Sequence, residues 1–420
     1  MVQNTKFNTQ NWWLRVALFN LLIVSFLGVI MRYKIAYSLP FIDQKHFLQS
    51  HSHFAFAGWI TQALMALMVG YLASQSGSDV FKRYRGVLIA NLVTAYGMLL
   101  SFPFQGYAFL SITFSTLSIF VSYVFAVMYW RDLNKLKEKS IGHLWFKAAL
   151  IFFCMSSVGP FTLADMMATK SINQKWSLAA LYYFLHFQYN GWFFFAGMGM
   201  LTKKLEDAGA NMKALLAIFR LFVFSCPPAY LLSVLWADVP IAVYAIVVVA
   251  AVMQLGGWMY LLQQMNRLKS FFNNMHAASQ WILSLSAIAL TIKLLLQLGS
   301  TIPSVSHFAF GFRPIVIGYL HLVLLGVISL FIVGYCFSYK LISLNKTTLA
   351  GAKVFTIGVV VNEIFLMSQG VVSINYNSIP YINETLLVVA LVMFSGLLIL
   401  ATGQRKTEQI TIKNYNIINL

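Results

Sequence analysis

Four of the eight histidines lie inside long apolar segments, and their chemistry is the first clue to function. They are His51 and His53 in QSHSHFAFAGW, His186 in LHFQYNGW and His321 in GYLHLVLLG. An ionisable side chain inside a membrane helix is costly, which makes it a functional candidate. Neutral imidazole is the commonest protein ligand for metals, and two facing imidazoles can hold a heme iron from both sides. The pattern predicts metal or heme ligation, with hydrogen-bonded packing as the alternative.

The apolar segments around these histidines are typical of an integral membrane protein. Of the 420 residues, 60% are hydrophobic and only 10% are charged, whereas about a quarter of a soluble domain is charged. Twelve apolar segments are long enough to cross a bilayer as helices, and no β-barrel alternation accompanies them. They lie near 12–31, 47–73, 86–106, 108–130, 144–167, 177–201, 213–235, 239–262, 277–299, 313–338, 350–372 and 384–402. We therefore predict an all-α bundle of about 12 transmembrane helices that forms a single domain over residues 1–420.

The basic residues predict the orientation of this bundle. Lys and Arg concentrate in the loops that follow the even-numbered spans and near the two termini. Positively charged loops stay on the cytoplasmic side, so both termini are predicted to be cytoplasmic. The net charge of +18 is then a topology signal, with some attraction to anionic membrane lipid, and nucleic acid is excluded as a partner. We expect a multi-pass protein of the bacterial inner (cytoplasmic) membrane.

This orientation places the four histidines in one layer of the membrane. Spans 2, 6 and 10 all start on the outer side, and at about 1.5 Å per residue their histidines lie roughly 6–15 Å from the outer helix ends. Three separate helices thus contribute imidazoles at matching depth. On a helix His51 and His53 point roughly 200° apart, so the two cannot ligate the same iron.

With these motifs the chain resembles subunit I of the heme-copper oxidase superfamily, which includes oxygen reductases and NO reductases. That family has twelve spans with both ends inside, and its low-spin heme is held by one histidine on span 2 and one on span 10. The segment around His321 resembles the span-10 motif, and His51-Ser52-His53 resembles the span-2 motif. The resemblance implies a heme b, or a heme a, held by His321 and by either His51, the favoured partner, or His53.

The chain departs from this family at the second metal, which is copper or non-heme iron there. His186 resembles the span-6 ligand of that metal, but span 7 around Cys226 has no His-His pair, and Tyr319 replaces the histidine of the high-spin heme. Because a tyrosinate can ligate iron, Tyr319 joins His186 as a candidate metal ligand. The resemblance implies respiratory electron transfer, or redox or gas sensing, with impaired or absent reduction of O2 or NO and no assigned catalytic residue. The implied partners are respiratory subunits or a cytochrome c electron donor.

Further polar residues leave two other functions open. An active terminal oxidase or NO reductase could use unusual second-site ligands, namely His186, Tyr189, Tyr319 and His53. A twelve-span proton-coupled transporter could instead use the ionisable residues inside the spans, which are Lys293, Glu363 and Asp165. Under the heme hypothesis the same three residues are candidates for a proton path.

One outer-side residue is a further candidate for heme binding. Arginines on the outer side bind heme propionates in the resembled family, and Arg313 precedes span 10 on that side, with His307 nearby in sequence. Residues at the membrane interface also serve as simple anchors, which is the alternative for both.

Overall fold

The computed structural model of the chain describes residues 2–76, 79–235, 239–305 and 312–404, so His307 lies outside the described residues. Within these ranges every regular element is helical. Twelve long helices are numbered here in chain order. Their bounds are α1 Val2–Ala36, α2 Gln44–Ser76, α3 Val80–Gln105, α4 Phe109–Asn134, α5 Ile141–Ala168, α6 174–207, α7 Met212–Val234, α8 Ile241–Arg267, α9 Ala277–Gly299, α10 Arg313–Ser338, α11 Lys346–Ile374 and α12 Ile382–Gly403.

Eleven helices in the described part of the chain are long and apolar enough to cross a membrane. The chain is thus an all-helical, multi-pass membrane protein, as predicted. Helix α6 corresponds to the predicted sixth span but is not among the eleven, because His186, Gln188 and Asn190 make its centre too polar. The predicted number of about 12 spans therefore exceeds the number of these apolar helices by one. The cytoplasmic placement of the termini stays a prediction.

Short polar side chains mark the starts of several helices. Such a side chain accepts a hydrogen bond from a backbone N–H of the first turn, which has no partner within the helix. The residues in this position are Asp43 at α2, Asp79 at α3, Ser140 at α5, Asn173 at α6, Asn211 at α7 and Asn345 at α11. The polar loops seen in the sequence therefore also define where the spans begin.

Helix α2 is enclosed by its neighbours far more than a peripheral helix such as α4. In the apolar stretch of α2, 89% of the residues are buried, against 22% in α4. Helix α2 packs against α1, α3 and α6, while α12 packs against both α11 and α1 and so joins the two ends of the chain. The α11–α12 contact is close because a Cβ at Gly351 or Gly396 would collide with the backbone of the other helix.

Candidate cofactor site

Each helix that carries a predicted ligand histidine changes to a wider π-helical stretch just after that histidine. These stretches are Ala55–Thr61 in α2, Phe187–Phe193 in α6 and Leu322–Ser329 in α10. The first begins one turn after His51, and the other two begin directly after His186 and His321. π-helical geometry is rare and occurs frequently at functional sites. Its recurrence on three helices identifies this region as the candidate site.

Two tryptophans join the three π-helical stretches to one another. Trp59 in α2 donates its indole N–H to Ser329 Oγ in α10 at 2.9 Å. Trp192 in α6 donates to Thr61 Oγ1 in α2 at 3.3 Å. Because buried indole N–H groups need a partner, these bonds fix the relative positions of the three helices, with α2 in the middle.

Two buried asparagines satisfy backbone carbonyls of the π-helical stretch in α2. Asn20 from α1 donates to the Gly58 carbonyl oxygen at 2.6 Å, and Asn91 from α3 donates to the Ala57 carbonyl oxygen at 3.0 Å. Asn20 also accepts a hydrogen bond from the Tyr96 hydroxyl at 2.7 Å. A buried carbonyl without a partner is costly, so the irregular backbone depends on these two side chains.

His51 and His321 lie close enough together for electrostatic interaction between their rings. The Nδ1 atom of His51 is 3.1 Å from the carbonyl oxygen of Val24 in α1, and that of His321 is 2.8 Å from the carbonyl oxygen of Ile317. A carbonyl oxygen only accepts, so each Nδ1 carries the proton and each Nε2 keeps its lone pair. Among the described residues nothing forms a hydrogen bond with either Nε2, and both rings are only half-buried. Two oriented imidazoles with free Nε2 atoms suit iron ligation.

One face of α1 lines this histidine pair and ends in a positive charge. Val24, Gly28 and Arg32 follow one another at intervals of four residues and so lie on one helix face. A Cβ at Gly28 would lie 3.6 Å from Cε1 of His51. The guanidinium of Arg32 lies within electrostatic range of both His51 and His321. The sequence does not predict this position, because there Arg32 is only a basic residue near the end of span 1.

His53 lies in a different environment from His51. Its Nε2 is 3.0 Å from the Tyr107 hydroxyl, and its ring stacks on Phe102 of α3 at a centroid distance of 4.6 Å. The structure therefore associates His53 with the α3–α4 side of α2 and associates His51 with His321. Of the two span-2 candidates, this geometry favours His51 as the partner of His321.

His186 uses both of its ring nitrogens in hydrogen bonds within the protein. Its Nε2 is 2.8 Å from the carbonyl oxygen of Cys226 in α7, and Asn190 donates to its Nδ1 at 3.1 Å. The side chain is only 1% exposed. This pattern fits a hydrogen-bonded packing residue, whereas a metal ligand needs one nitrogen free. Ligation by His186 stays a prediction.

Two other candidate ligands of a second metal, Tyr189 and Tyr319, contact each other. The ring of Tyr319 meets that of Tyr189 edge-on, with a centroid distance of 6.3 Å. In the described ranges no three His, Cys, Asp or Glu side chains come close enough to hold a metal ion. Arg313 is the exposed first residue of α10, about 12 Å along the helix axis from His321. Its predicted role in heme binding is likewise neither supported nor contradicted by a contact.

The three ionisable residues predicted inside spans have different surroundings. Lys293 is 5% exposed and donates to Gln297 Oε1 at 2.6 Å. Glu363 Oε1 accepts from Asn362 at 3.2 Å, while its buried Oε2 has no hydrogen-bond partner. Asp165 is exposed. No ion pair joins Lys293 to Glu363 among the described residues, and a proton path through these residues stays a prediction.

Comparison with known proteins assigns the chain to no family. No protein-family model matches it, and a search of curated proteins finds no matching relative.

Proposed function

We propose that this protein is a membrane-bound heme protein that carries a low-spin heme b or heme a between α2 and α10 and serves in respiratory electron transfer. The observation that carries the proposal is that His51 and His321 lie within electrostatic range of each other. Both imidazoles are anchored through Nδ1, and both keep Nε2 free of hydrogen bonds from the described residues. The similarity of the same two segments to the oxidase motifs points in the same direction.

The side chains at this position fit a six-coordinate heme better than a bare metal ion. Two neutral nitrogen donors on separate helices are the ligand set of a bis-histidine heme, whereas a structural metal ion normally requires about four protein ligands. No third His, Cys, Asp or Glu completes a cluster with them in the described part of the chain. Gly28 has no side chain and lets α1 approach the His51 ring closely, since a Cβ there would lie 3.6 Å from Cε1 of His51.

In this proposal the residues of the chain bind, orient and tune the cofactor. A six-coordinate heme supplies reversible one-electron chemistry, and its filled coordination sphere disfavours reaction with O2 or NO. The Val24 and Ile317 carbonyl oxygens fix the rings of His51 and His321 and increase the basicity of their Nε2 atoms. The positive charge of Arg32 stabilises an added electron and suits an acidic substituent of the porphyrin.

We further infer that His186 holds α6 to α7 and does not ligate a second metal. Its hydrogen bonds to the Cys226 carbonyl oxygen and to Asn190 occupy both nitrogens. A copper or non-heme iron bound there would have to displace at least one of these buried bonds. Reduction of O2 or NO by a binuclear centre is therefore not part of the proposed function.

Spectroscopy of the purified protein tests the proposal directly. We expect one heme per chain by pyridine hemochrome, a low-spin reduced-minus-oxidised spectrum and no spectral change with CO. Absence of heme from protein expressed with excess heme precursor would contradict the proposal. A second, CO-binding heme, or copper or non-heme iron at one per chain, would instead restore the oxidase or NO reductase hypothesis.

A further inference from the structure

A second buried polar site surrounds Lys293 in α9, separate from the histidine pair. Lys293 lies within electrostatic range of His186 in α6 and of Cys226 in α7. Its Nζ donates to Gln297 Oε1 at 2.6 Å, and Gln297 donates in turn to Gln254 Oε1 in α8 at 2.9 Å. Four helices thus contribute polar groups to one place in the apolar interior.

A small cavity lies next to this cluster. Lys293, Gln254, Cys226 and Asn190 provide its polar lining, and phenylalanine and leucine side chains complete the wall. Lys293 is 5% exposed and Gln254 is 4% exposed. The polar groups therefore face a restricted internal space, which suits a small occupant with few non-hydrogen atoms.

The lining is rich in hydrogen-bond donors that have no acceptor. An ammonium has three N–H groups, and the described residues supply an acceptor, Gln297, for one of those of Lys293. The carboxamide N–H2 of Gln254 also has no partner in the described part, because the bond from Gln297 uses its oxygen. The hydrogen bonds run from Lys293 to Gln297 to Gln254, a direction that suits an ammonium as the terminal donor.

A lone ammonium in the apolar interior needs a compensating negative charge. Burial of an unpaired charge is strongly unfavourable, and no carboxylate pairs with Lys293 among the described residues. The carboxylate of Glu363 instead accepts a hydrogen bond from the carboxamide of Asn362 on its own helix. The amine can either lose its proton or keep it beside a negative charge that comes from solution, and a small anion in the adjacent cavity would provide that charge.

We propose that this cavity binds one small inorganic anion of about the size of chloride, held by the Lys293 ammonium and the Gln254 carboxamide. The site is independent of the proposed heme. Its donors come from α8 and α9, whereas His51 and His321 belong to α2 and α10. Failure of heme binding therefore leaves this proposal intact, and the reverse also holds.

Chloride NMR line broadening on the full chain in detergent tests the site. Wild-type protein should broaden the 35Cl signal in a saturable way, and an excess of bromide should reverse the effect. Lys293→Met should abolish the saturable component. Gln254→Leu removes one hydrogen bond to a charged group and should weaken binding about tenfold.

Lys204 provides a matched control, because it is also buried but has visible partners. It is 7% exposed, donates to Ser338 Oγ at 2.9 Å and places Nζ 4.1 Å from the centre of the Tyr339 ring. Lys204→Met should keep the wild-type chloride effect. Equal broadening by wild type and Lys293→Met, or no saturable broadening by wild type, would overturn the proposal. If Lys293→Met fails to fold, an unchanged affinity in Gln254→Leu would overturn it as well.

Discussion

The histidine pair of α2 and α10 and the histidine of α6 look alike in sequence but differ in the structure. All three precede a π-helical stretch. His51 and His321 each use only Nδ1, toward a backbone carbonyl, whereas His186 uses both nitrogens. The hydrogen bond on the second nitrogen therefore distinguishes a candidate ligand from a packing residue. Neither the depth in the membrane nor the residue type makes this distinction.

The largest expected effect is a difference in heme content between variants of these two histidine environments. His321→Ala or His51→Ala should lose the low-spin spectrum and most of the bound heme, because the iron would keep only one of its two histidine ligands. His186→Ala should keep one heme per chain and a low-spin spectrum. Pyridine hemochrome content per purified chain, together with the reduced-minus-oxidised spectrum, measures both outcomes.

His53 gives this comparison its internal control. It lies two residues from His51 but contacts Tyr107 and Phe102, so His53→Ala should also keep the heme. The assignment of His51 would be wrong if His53→Ala lost the heme and His51→Ala kept it. An unchanged low-spin heme spectrum in His321→Ala would remove the proposed function altogether.

The second effect concerns the electrostatics of the pair. Arg32→Met removes a positive charge near both His51 and His321, so the oxidised heme should become more stable relative to the reduced heme. We expect the midpoint potential to fall by about 60 mV, a tenfold change in a one-electron equilibrium. Redox potentiometry measures this shift. Lys175→Met is the matched control, since Lys175 is exposed at the start of α6, and an equal fall in that variant would assign the charge effect to the outer surface in general.

The sequence predicts the helical membrane fold and the three helices that meet at the site, because apolar length and intramembrane histidines are visible in it. It does not predict which histidine is free. The partners of His51 and His186 are carbonyl groups of Val24 and Cys226, which any residue type provides. Nor does it show that Arg32 lies near His51 and His321, since a charge near a helix end looks like an anchor until the helix face is known. The π-helical stretches also have no reliable sequence signal.

A third effect tests how the irregular backbone of α2 is supported. Asn20→Leu leaves the Gly58 carbonyl oxygen and the Tyr96 hydroxyl without their partner. An unsatisfied buried polar group costs about 1–3 kcal/mol, so the unfolding temperature in detergent should fall clearly. Gln75→Leu, at an exposed position near the end of α2, is the control and should leave that temperature nearly unchanged. Equal stability of the two variants would show that the carbonyl does not depend on Asn20.

The smallest expected effect lies at the start of α2, outside the membrane span. The Asp43 carboxylate accepts a hydrogen bond from the backbone N–H of His46 at 2.8 Å, and this bond lowers the pKa of Asp43 below its ordinary value. A carboxyl group whose pKa is lower in the folded state stabilises the fold above its unfolded pKa of about 4, and that contribution disappears as the pH falls through the folded pKa. Asp43→Asn keeps a capping oxygen but does not titrate. From pH 6 to pH 3 the unfolding temperature of wild type should therefore fall relative to that of Asp43→Asn. The reason is that only the wild-type cap loses its charge at low pH.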